Sequence, residues 1–266
     1  MIRVVFNQKG GVGKSTIAVN LAAIGAMRGR RTLMIDLDPQ ANATSYLLGL
    51  PGDEGSAKAA ASDGHTVGDF FEQSLSFRLD ALKLDQCIRK TPFARLGIVP
   101  GDTGLSDLQS KLEARAKILK LPQALRELKG WDDIVIDTPP ALNFFTRSAL
   151  IGADACLIPF DCDEFARQAL YGLLESVGEI GADHNPKLRI EGIVANQFNP
   201  RSSLPVRIVE ALVDEGLPVL QTRLSSSVKV RESHEACLPL PHFAPGHKLT
   251  LEFMALYEEL DARNRG

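Results

Sequence analysis

Residues 9–16 read KGGVGKST, and this stretch decides the fold class. The glycines Gly10, Gly11 and Gly13 permit a tight backbone turn, and a lysine and a serine follow them directly. This is the order of a phosphate-binding loop of the P-loop type, in which backbone N–H groups and a lysine surround phosphate oxygens. A β-branched apolar run precedes the loop, and apolar residues at helical spacing follow it. Strand, loop and helix in that order predict a nucleotide phosphate site.

The individual residues of the loop have separable roles. Lys14 is expected to neutralise the β and γ phosphates, and the Ser15 hydroxyl to ligate magnesium, which prefers oxygen ligands. The helix that starts at Ser15 directs its positive end at the same place. Gln8 stands where the general pattern has its first glycine. The predicted nucleotide-binding residues of the loop are Gly10, Gly11, Val12, Gly13, Lys14, Ser15 and Thr16.

Short apolar runs alternate with amphipathic stretches along the chain. This alternation predicts an α/β fold, with a mainly parallel twisted sheet flanked by helices on both faces. In such sheets ligands bind beyond the carboxyl ends of the strands. We expect a single P-loop domain over residues 1–266. The predicted strands cover residues 2–6, 32–35, 96–99, 134–136, 155–159 and 190–195, and the predicted helices cover 15–27, 164–180 and 204–215.

Composition narrows the class of protein. The chain has 266 residues, 44% hydrophobic and 24% charged, with a formal charge of -3. A nearly neutral molecule has no overall basic field, so any binding to nucleic acid must come from a local patch. No apolar stretch reaches the length of a membrane span and no secretory signal is present, which favours the cytoplasm. The cysteines form no zinc-like set and are expected to be reduced: Cys87, Cys156, Cys162 and Cys237.

One stretch has an unusual composition. Residues 51–65 read PGDEGSAKAAASDGH and contain no large apolar side chain. Clusters of glycine, serine and aspartate between periodic segments are typical of loops. We expect a surface loop over residues 52–64, with no sign of its role.

Lys9, a second lysine at the mouth of the loop, adds a family resemblance. The pattern KGGVGKST resembles the deviant Walker A motif of the ParA/MinD family of ATPases. The resemblance covers nearly the whole chain, and it is nearest to the short, Soj-like ParA proteins that lack an N-terminal helix-turn-helix. It implies that ATP binds with Mg²⁺, and that Lys9 reaches across a dimer interface to the phosphates of the partner subunit. Lys9, Lys14 and Asp38 would then be the catalytic residues.

Two downstream motifs extend the resemblance. MIDLDPQANATS, residues 34–45, resembles the second family motif, in which Asp36 supports the magnesium shell and Asp38 positions the attacking water. IVIDTPP, residues 134–140, resembles the Walker B region, with Asp137 holding a magnesium-bound water. Read without the family, each aspartate is also an ordinary cap or turn residue. Many family members have glycine at the position of Ala41. The conformation of the turn at Ala41 is therefore not predicted.

Two further segments are assigned by resemblance. IVANQFNPRSS, residues 193–203, is similar to the segment that contacts adenine, so Asn196 is the candidate for base recognition, with Pro200 beside the nucleotide. RLSSSVKVR, residues 223–231, corresponds to a region that touches DNA phosphates. Such contacts would be independent of base sequence and weakened by salt. The DNA-binding candidates are Arg223, Lys229 and Arg231, with Arg201 and Arg207 as extensions; a solvated basic face is the alternative.

The resemblance implies a positioning ATPase. ATP would close a homodimer that binds nonspecific DNA, a ParB-like or other cargo adaptor would stimulate slow hydrolysis, and the protein would be cytoplasmic and nucleoid-associated. The main alternative is a MinD-like membrane-associated ATPase, which needs a basic C-terminal amphipathic helix. The polar side of the C-terminal segment carries acids such as Glu252 and Glu259, so we expect it to pack on the protein and not on a membrane. An iron–sulfur carrier and a ligase of the biotin-synthesis type are more distant alternatives.

Overall fold

The computed structural model describes residues 1–49, 64–76 and 81–265. Within them, seven strands form one sheet in the order β3-β4-β2-β5-β1-β6-β7. All neighbouring strands are parallel except β3 and β4, which are antiparallel. The strands are β1 (Ile2–Val5), β2 (Thr32–Asp36), β3 (Arg89–Lys90), β4 (Leu96–Val99), β5 (Asp133–Asp137), β6 (Ala155–Asp161) and β7 (Arg189–Asn196).

Helices connect the parallel strands. Two short 3₁₀ turns, Leu84–Cys87 and Lys117–Leu119, lie among them. The α-helices in the described part of the chain are α1 (Lys14–Met27), α2 (Asn42–Leu48), α3 (Val67–Gln73), α4 (Leu105–Ala114), α5 (Lys120–Glu127), α6 (Phe144–Gly152), α7 (Glu164–His184), α8 (Ser203–Asp214), α9 (Lys229–Glu235), α10 (Leu240–Phe243) and α11 (Lys248–Arg265).

The sheet separates two apolar cores. Alternate residues of a strand point to opposite faces, and Val4 and Val5 accordingly belong to different buried clusters. Helices α1, α2 and α11 cover the Val5 side, whereas α3 to α8 cover the Val4 side. The predicted α/β sheet with helices on both faces is therefore confirmed.

Strand β6 is longer than predicted because its proline is tolerated. Pro159 lacks an N–H and would break a central ladder. In this sheet β1 ends at Val5, opposite Leu157, and Phe6 makes the last bond across, to the Leu157 carbonyl. Pro159 therefore lies beyond the end of β1, so the N–H that proline lacks is not needed for pairing with β1. β6 continues beside β7 as far as Asp161.

The C-terminal helix packs on the protein as expected. Its apolar stripe, which includes Phe253, Leu256 and Leu260, is buried against α1 and the sheet. Glu252 and Glu259 on its other side accept bonds from backbone N–H groups of residues 221–225. No helix among the described residues is long and apolar enough to cross a bilayer. Of the predicted loop at 52–64, residues 52–63 lie outside the described residues.

A buried ion pair connects the edge strand β7 to the inner strand β1. Arg3 of β1 makes two bonds to the Glu191 carboxylate of β7, at 2.5 and 2.8 Å, across the intervening strand β6. Asn264 of α11 donates to the same carboxylate at 2.9 Å. Both side chains of the pair are almost fully buried. Removing one partner would leave the other charge buried and unpaired.

We therefore expect Glu191→Gln to lower the free energy of unfolding by roughly 3 kcal/mol, measured by urea unfolding. The matched control is Glu258→Gln, because Glu258 pairs with Arg28 on the exposed surface. That substitution should change stability by less than about 1 kcal/mol. Equal losses in the two variants would contradict a special contribution from the buried pair.

Candidate nucleotide-binding site

The glycine loop connects β1 to α1 at the carboxyl edge of the sheet. Asn7 fixes its start, since its side chain donates to the Pro159 carbonyl at 2.6 Å and accepts from the Lys9 N–H at 2.9 Å. Gly11 and Gly13 have φ values of +76° and +86°, a left-handed backbone that favours glycine. The loop therefore folds back on itself immediately before the positive end of α1.

The end of β7 holds the loop from the other side. Asn196 donates its side-chain N–H to the Val12 carbonyl at 2.8 Å, and Gln197 donates to the Gly11 carbonyl at 3.0 Å. A Cβ atom at Gly13 would lie only 2.4 Å from Asn196 Nδ2. Gly13 is thus required both by its backbone angle and by this close approach. Gln197 was not predicted, and no motif marked it.

Lys14 lies over the loop that it follows. Its side chain is buried, and its ammonium donates to the Lys9 carbonyl at 3.1 Å. Burial lowers the pKa of Lys14, while the carboxylates of Asp137 and Asp38 act in the opposite direction. A buried cation beside two carboxylates is well placed to meet a polyanion.

Two carboxylates stand side by side where neighbouring strands end. Asp36 of β2 and Asp137 of β5 are register partners, and both are fully buried. Burial raises the pKa of Asp36 to about 6, although its carboxylate accepts bonds from the Thr44 N–H, the Thr44 hydroxyl and the Asp38 N–H. Burial, then the charge of Asp36, raises the pKa of Asp137 well above its ordinary value, and a hydrogen bond from Ser15 opposes this.

These carboxylates fit a magnesium site. Oδ2 of Asp137 is buried and has no hydrogen-bond partner among the described residues, an arrangement that a cation-bound water would satisfy. Among residues 1–49, 64–76 and 81–265, no three His, Cys, Asp or Glu side chains are grouped so that they could hold a metal alone. Magnesium commonly takes one or two protein ligands and completes its shell with phosphate and water. Ser15, Asp36 and Asp137 are suited to such a shared site.

Asp38 follows the Asp36 strand end and faces the cavity. Its carboxylate accepts a bond from the Gln40 N–H at 2.9 Å. Ala41, the departure from the family pattern, adopts the left-handed conformation with φ of +52°, so the turn is kept although no glycine is present. The alanine carries the strain that glycine would avoid.

Two cavities open over the loop. The larger, about 660 Å³, is lined by the loop, Asp38, Tyr46 and His234. The smaller, about 340 Å³, is lined by Gly13, Asn196 and residues 225–228. Thr16 borders both.

The comparisons with known proteins agree with this geometry. A family model described as an AAA domain matches residues 1–190. The chromosome-partitioning ATPase Soj of Treponema pallidum is 31% identical over 98% of this chain and 97% of its own length. The chromosome partitioning protein ParA of Myxococcus xanthus is 35% identical over 77% of this chain and 68% of its own length. The chain belongs to the ParA/MinD family of ATPases.

A solved structure shows the same fold at lower identity. Cobyrinic acid a,c-diamide synthase from Mycobacterium smegmatis, with bound ATP analog and magnesium, superposes with a TM-score of 0.80. It is 23% identical, and the match covers 97% of this chain and 92% of that one. At this identity the likeness concerns the fold alone.

In this ParA/MinD-family chain Lys9 is engaged within its own subunit. Its ammonium pairs with Asp161 at 3.0 Å and with Asp163, both just beyond β6 or at its end. The hydrogen bonds from Lys9 to Asp163 and Asp161 raise the pKa of the lysine. The side chain is 40% exposed, so it stays accessible at the mouth of the loop.

The other predicted residues have separate environments. The guanidinium of Arg223 lies over the Phe198 ring at 4.7 Å. Lys229 pairs with Glu232 at 2.5 Å. Arg231 borders the smaller cavity, whereas Pro200 is exposed and lines neither cavity. The structure therefore brings Arg231 to the nucleotide cavity and leaves Pro200 outside it.

Helix α9 contributes residues to the larger cavity that sequence reasoning missed. His234 and Glu235 of α9, and Cys237 just after the helix, line it together with Tyr46 of α2. Nothing in the local pattern RESHEAC marks these residues as part of a phosphate site. They lie more than 200 residues from the loop, so only the tertiary structure reveals the contact.

Gly13→Ala tests the packing of the loop in this family member. We expect the free energy of unfolding to fall by roughly 2 kcal/mol or more, because the new Cβ meets Asn196 and strains the backbone. Binding of a fluorescent ATP analogue should weaken in parallel. Gly10→Ala is the control, since a Cβ there meets nothing within 4 Å. Equal stability of the two variants in urea unfolding would contradict the packing argument.

Proposed function

We propose that residues 1–266 form a single P-loop ATPase domain of the ParA type that binds ATP with Mg²⁺ and positions cargo on DNA. The observation that carries the proposal is Lys9, exposed at the mouth of a glycine loop whose other lysine, Lys14, lies near the carboxylates of Asp137 and Asp38. A P-loop needs one lysine for the phosphates. A second lysine that stays accessible at the mouth of the loop can reach the phosphates of a facing subunit, as in a face-to-face dimer.

The chain supplies the parts that phosphoryl transfer requires. Lys14 neutralises phosphate charge, and Asp38 orients the water that attacks the γ-phosphate. Ser15, Asp36 and Asp137 would hold the magnesium shell, and a cation bound there would supply charge neutralisation for phosphoryl transfer. Because this reaction depends on charge neutralisation and alignment, a rigid loop between β1 and α1 is well suited to it.

Asn196 is the proposed contact to adenine. Its amide nitrogen is committed to the Val12 carbonyl, which fixes the orientation of the amide and leaves its oxygen as the acceptor. The 6-amino group of adenine is a donor. The smaller cavity beside Asn196 is the proposed position of the base.

ATP would drive dimerisation through Lys9. A ligand shifts an equilibrium only by as much as it binds one state better than the other. In the dimer Lys9 would exchange Asp161 and Asp163 of its own subunit for the phosphates of the partner. Arg223, Lys229 and Arg231 are the proposed contacts to DNA phosphates, and Arg201 and Arg207 extend them.

In the cell this scheme gives a cytoplasmic, nucleoid-associated ATPase. A ParB-like or other adaptor protein would stimulate hydrolysis and release the dimer from DNA. The similarity to relatives named as chromosome-partitioning proteins supports this scheme. The cargo is a plasmid, a chromosome or a protein assembly.

Lys9→Ala tests the dimer. We expect the variant to fold and to lose ATP-dependent dimerisation and DNA binding, because the contact specific to the dimer is removed. Light scattering and gel shift with a non-hydrolysable ATP analogue measure these. Lys187→Ala is the control, because Lys187 is exposed before β7, at the opposite edge of the sheet. Wild-type DNA binding by the Lys9 variant would refute the scheme.

Asp38→Ala tests the assignment of the attacking water. We expect hydrolysis to fall by about 100-fold or more while the ATP dimer accumulates. Phosphate release and size-exclusion chromatography with ATP report the two effects. Asp183→Ala, an exposed residue of α7, should hydrolyse normally. A normal rate in the Asp38 variant would remove the residue from the mechanism.

A further inference from the structure

A polar contact joins α1, the helix that follows the glycine loop, to α9, the helix that carries Lys229 and Arg231. Oγ1 of Thr16, in the first turn of α1, and Nε2 of His234, in the last turn of α9, share a hydrogen bond of 3.1 Å. His234 lines the larger cavity with the loop glycines, Lys14 and Asp38. Lys229 and Arg231 lie on the same two-turn helix. A phosphate site and two proposed DNA contacts are therefore connected through one imidazole.

Helix α9 is also attached to the element that follows Asp36. The ring of Tyr46, on α2, meets the His234 ring edge-on, with centroids 4.5 Å apart. The Tyr46 hydroxyl bonds the Ser233 hydroxyl. Thr44 of the same helix donates to the Asp36 carboxylate. Helix α9 is thus also connected, through α2, to the residues proposed to hold magnesium.

The far end of the segment is firmly anchored. Asn20 of α1, fully buried, accepts from the Leu240 N–H at 2.8 Å and donates to the Thr16 carbonyl at 2.8 Å. Leu240 itself is buried in the core. The contact of His234 is exposed to the cavity, whereas that of Leu240 is not. The chain that follows α9 is therefore fixed to α1 through Asn20.

We propose that His234 is a positioning residue that transmits occupancy of the phosphate loop to Lys229 and Arg231. The inference rests on the proposed function, because it uses both the phosphate contact of Thr16 and the DNA contacts of α9. The hydroxyl of Thr16 has one hydrogen, and a phosphate oxygen can only accept. When Thr16 donates to phosphate, it can still bond His234 only by accepting from Nε2–H. Occupancy of the loop thus sets the donor direction of the bond that holds α9.

His234 has little part in holding the fold. The bond between Asn20 and Leu240 and the bond between the Tyr46 and Ser233 hydroxyls remain when the imidazole is removed, and only the edge-on contact with the Tyr46 ring is lost. We therefore expect His234→Ala to fold with near wild-type stability. Its effect should appear in the coupling between the two ligands and not in the binding of either one alone.

The experiment measures DNA affinity with and without a non-hydrolysable ATP analogue. The ratio of the two affinities is the coupling, which for allosteric proteins is typically about 5- to 150-fold. In His234→Ala we expect this ratio to fall by about tenfold. By reciprocity, the increase in affinity for the analogue that DNA causes should fall by the same factor.

Two further variants separate positioning from a structural role. His234→Gln should restore much of the ratio, because an amide can either donate to or accept from the Thr16 hydroxyl. His184→Ala is the matched control, since His184 is exposed at the end of α7. It should keep the wild-type ratio.

The outcomes distinguish the inference from the proposed function. If wild-type protein shows no ATP dependence of DNA binding, the proposed function fails and the inference fails with it. If the wild-type ratio is large and His234→Ala keeps it, only the inference is wrong. Loss of analogue binding without DNA in His234→Ala, not rescued by glutamine, would make His234 a structural or ligand-contacting residue and would equally overturn the proposal.

Discussion

Two buried carboxylates at the ends of neighbouring strands impose the main constraint on this molecule. Asp36 and Asp137 are register partners with no exposed surface, and burial raises the pKa of each. Mutual repulsion of buried like charges must be offset by nearby cations or donors. Thr44 donates hydrogen bonds to Asp36, and Lys14 supplies a cation near Asp137, whereas Oδ2 of Asp137 has no partner in the part of the chain that the structure describes. The site is therefore built for a divalent cation and a polyanion together.

The glycine loop is held at this position by contacts from β6 and from the end of β7. Asn7 bonds the Pro159 carbonyl of β6, and Asn196 of β7 and Gln197 just after it bond the loop carbonyls. Such a loop is prepared before its ligand arrives, which reduces the ordering that binding would otherwise require. Lys9 is the exception, because it is exposed and paired with carboxylates of its own chain. The preformed loop and the accessible Lys9 together support the proposal that ATP drives dimerisation.

The segment after β7 contributes side chains to the cavities over the glycine loop as well as to the surface. Arg231 borders the smaller cavity and His234 the larger, although sequence resemblance assigned the region to DNA alone. Helix α9 carries the proposed DNA contacts Lys229 and Arg231 as well as His234, so a movement of the helix displaces all three residues. A segment of this kind can link two ligands through geometry without a separate domain.

The sequence by itself determined the local features: the loop, the α/β alternation, and aspartates at strand ends. These follow from glycine conformations and apolar periodicity, which depend on neighbours along the chain. Only the tertiary structure decided which distant groups meet, such as Asn196 with the loop, His234 with Thr16, and Lys9 with Asp161. It also left Pro200 outside both cavities. Partners separated by more than 150 residues are set by the order of the strands in the sheet, which no local pattern encodes.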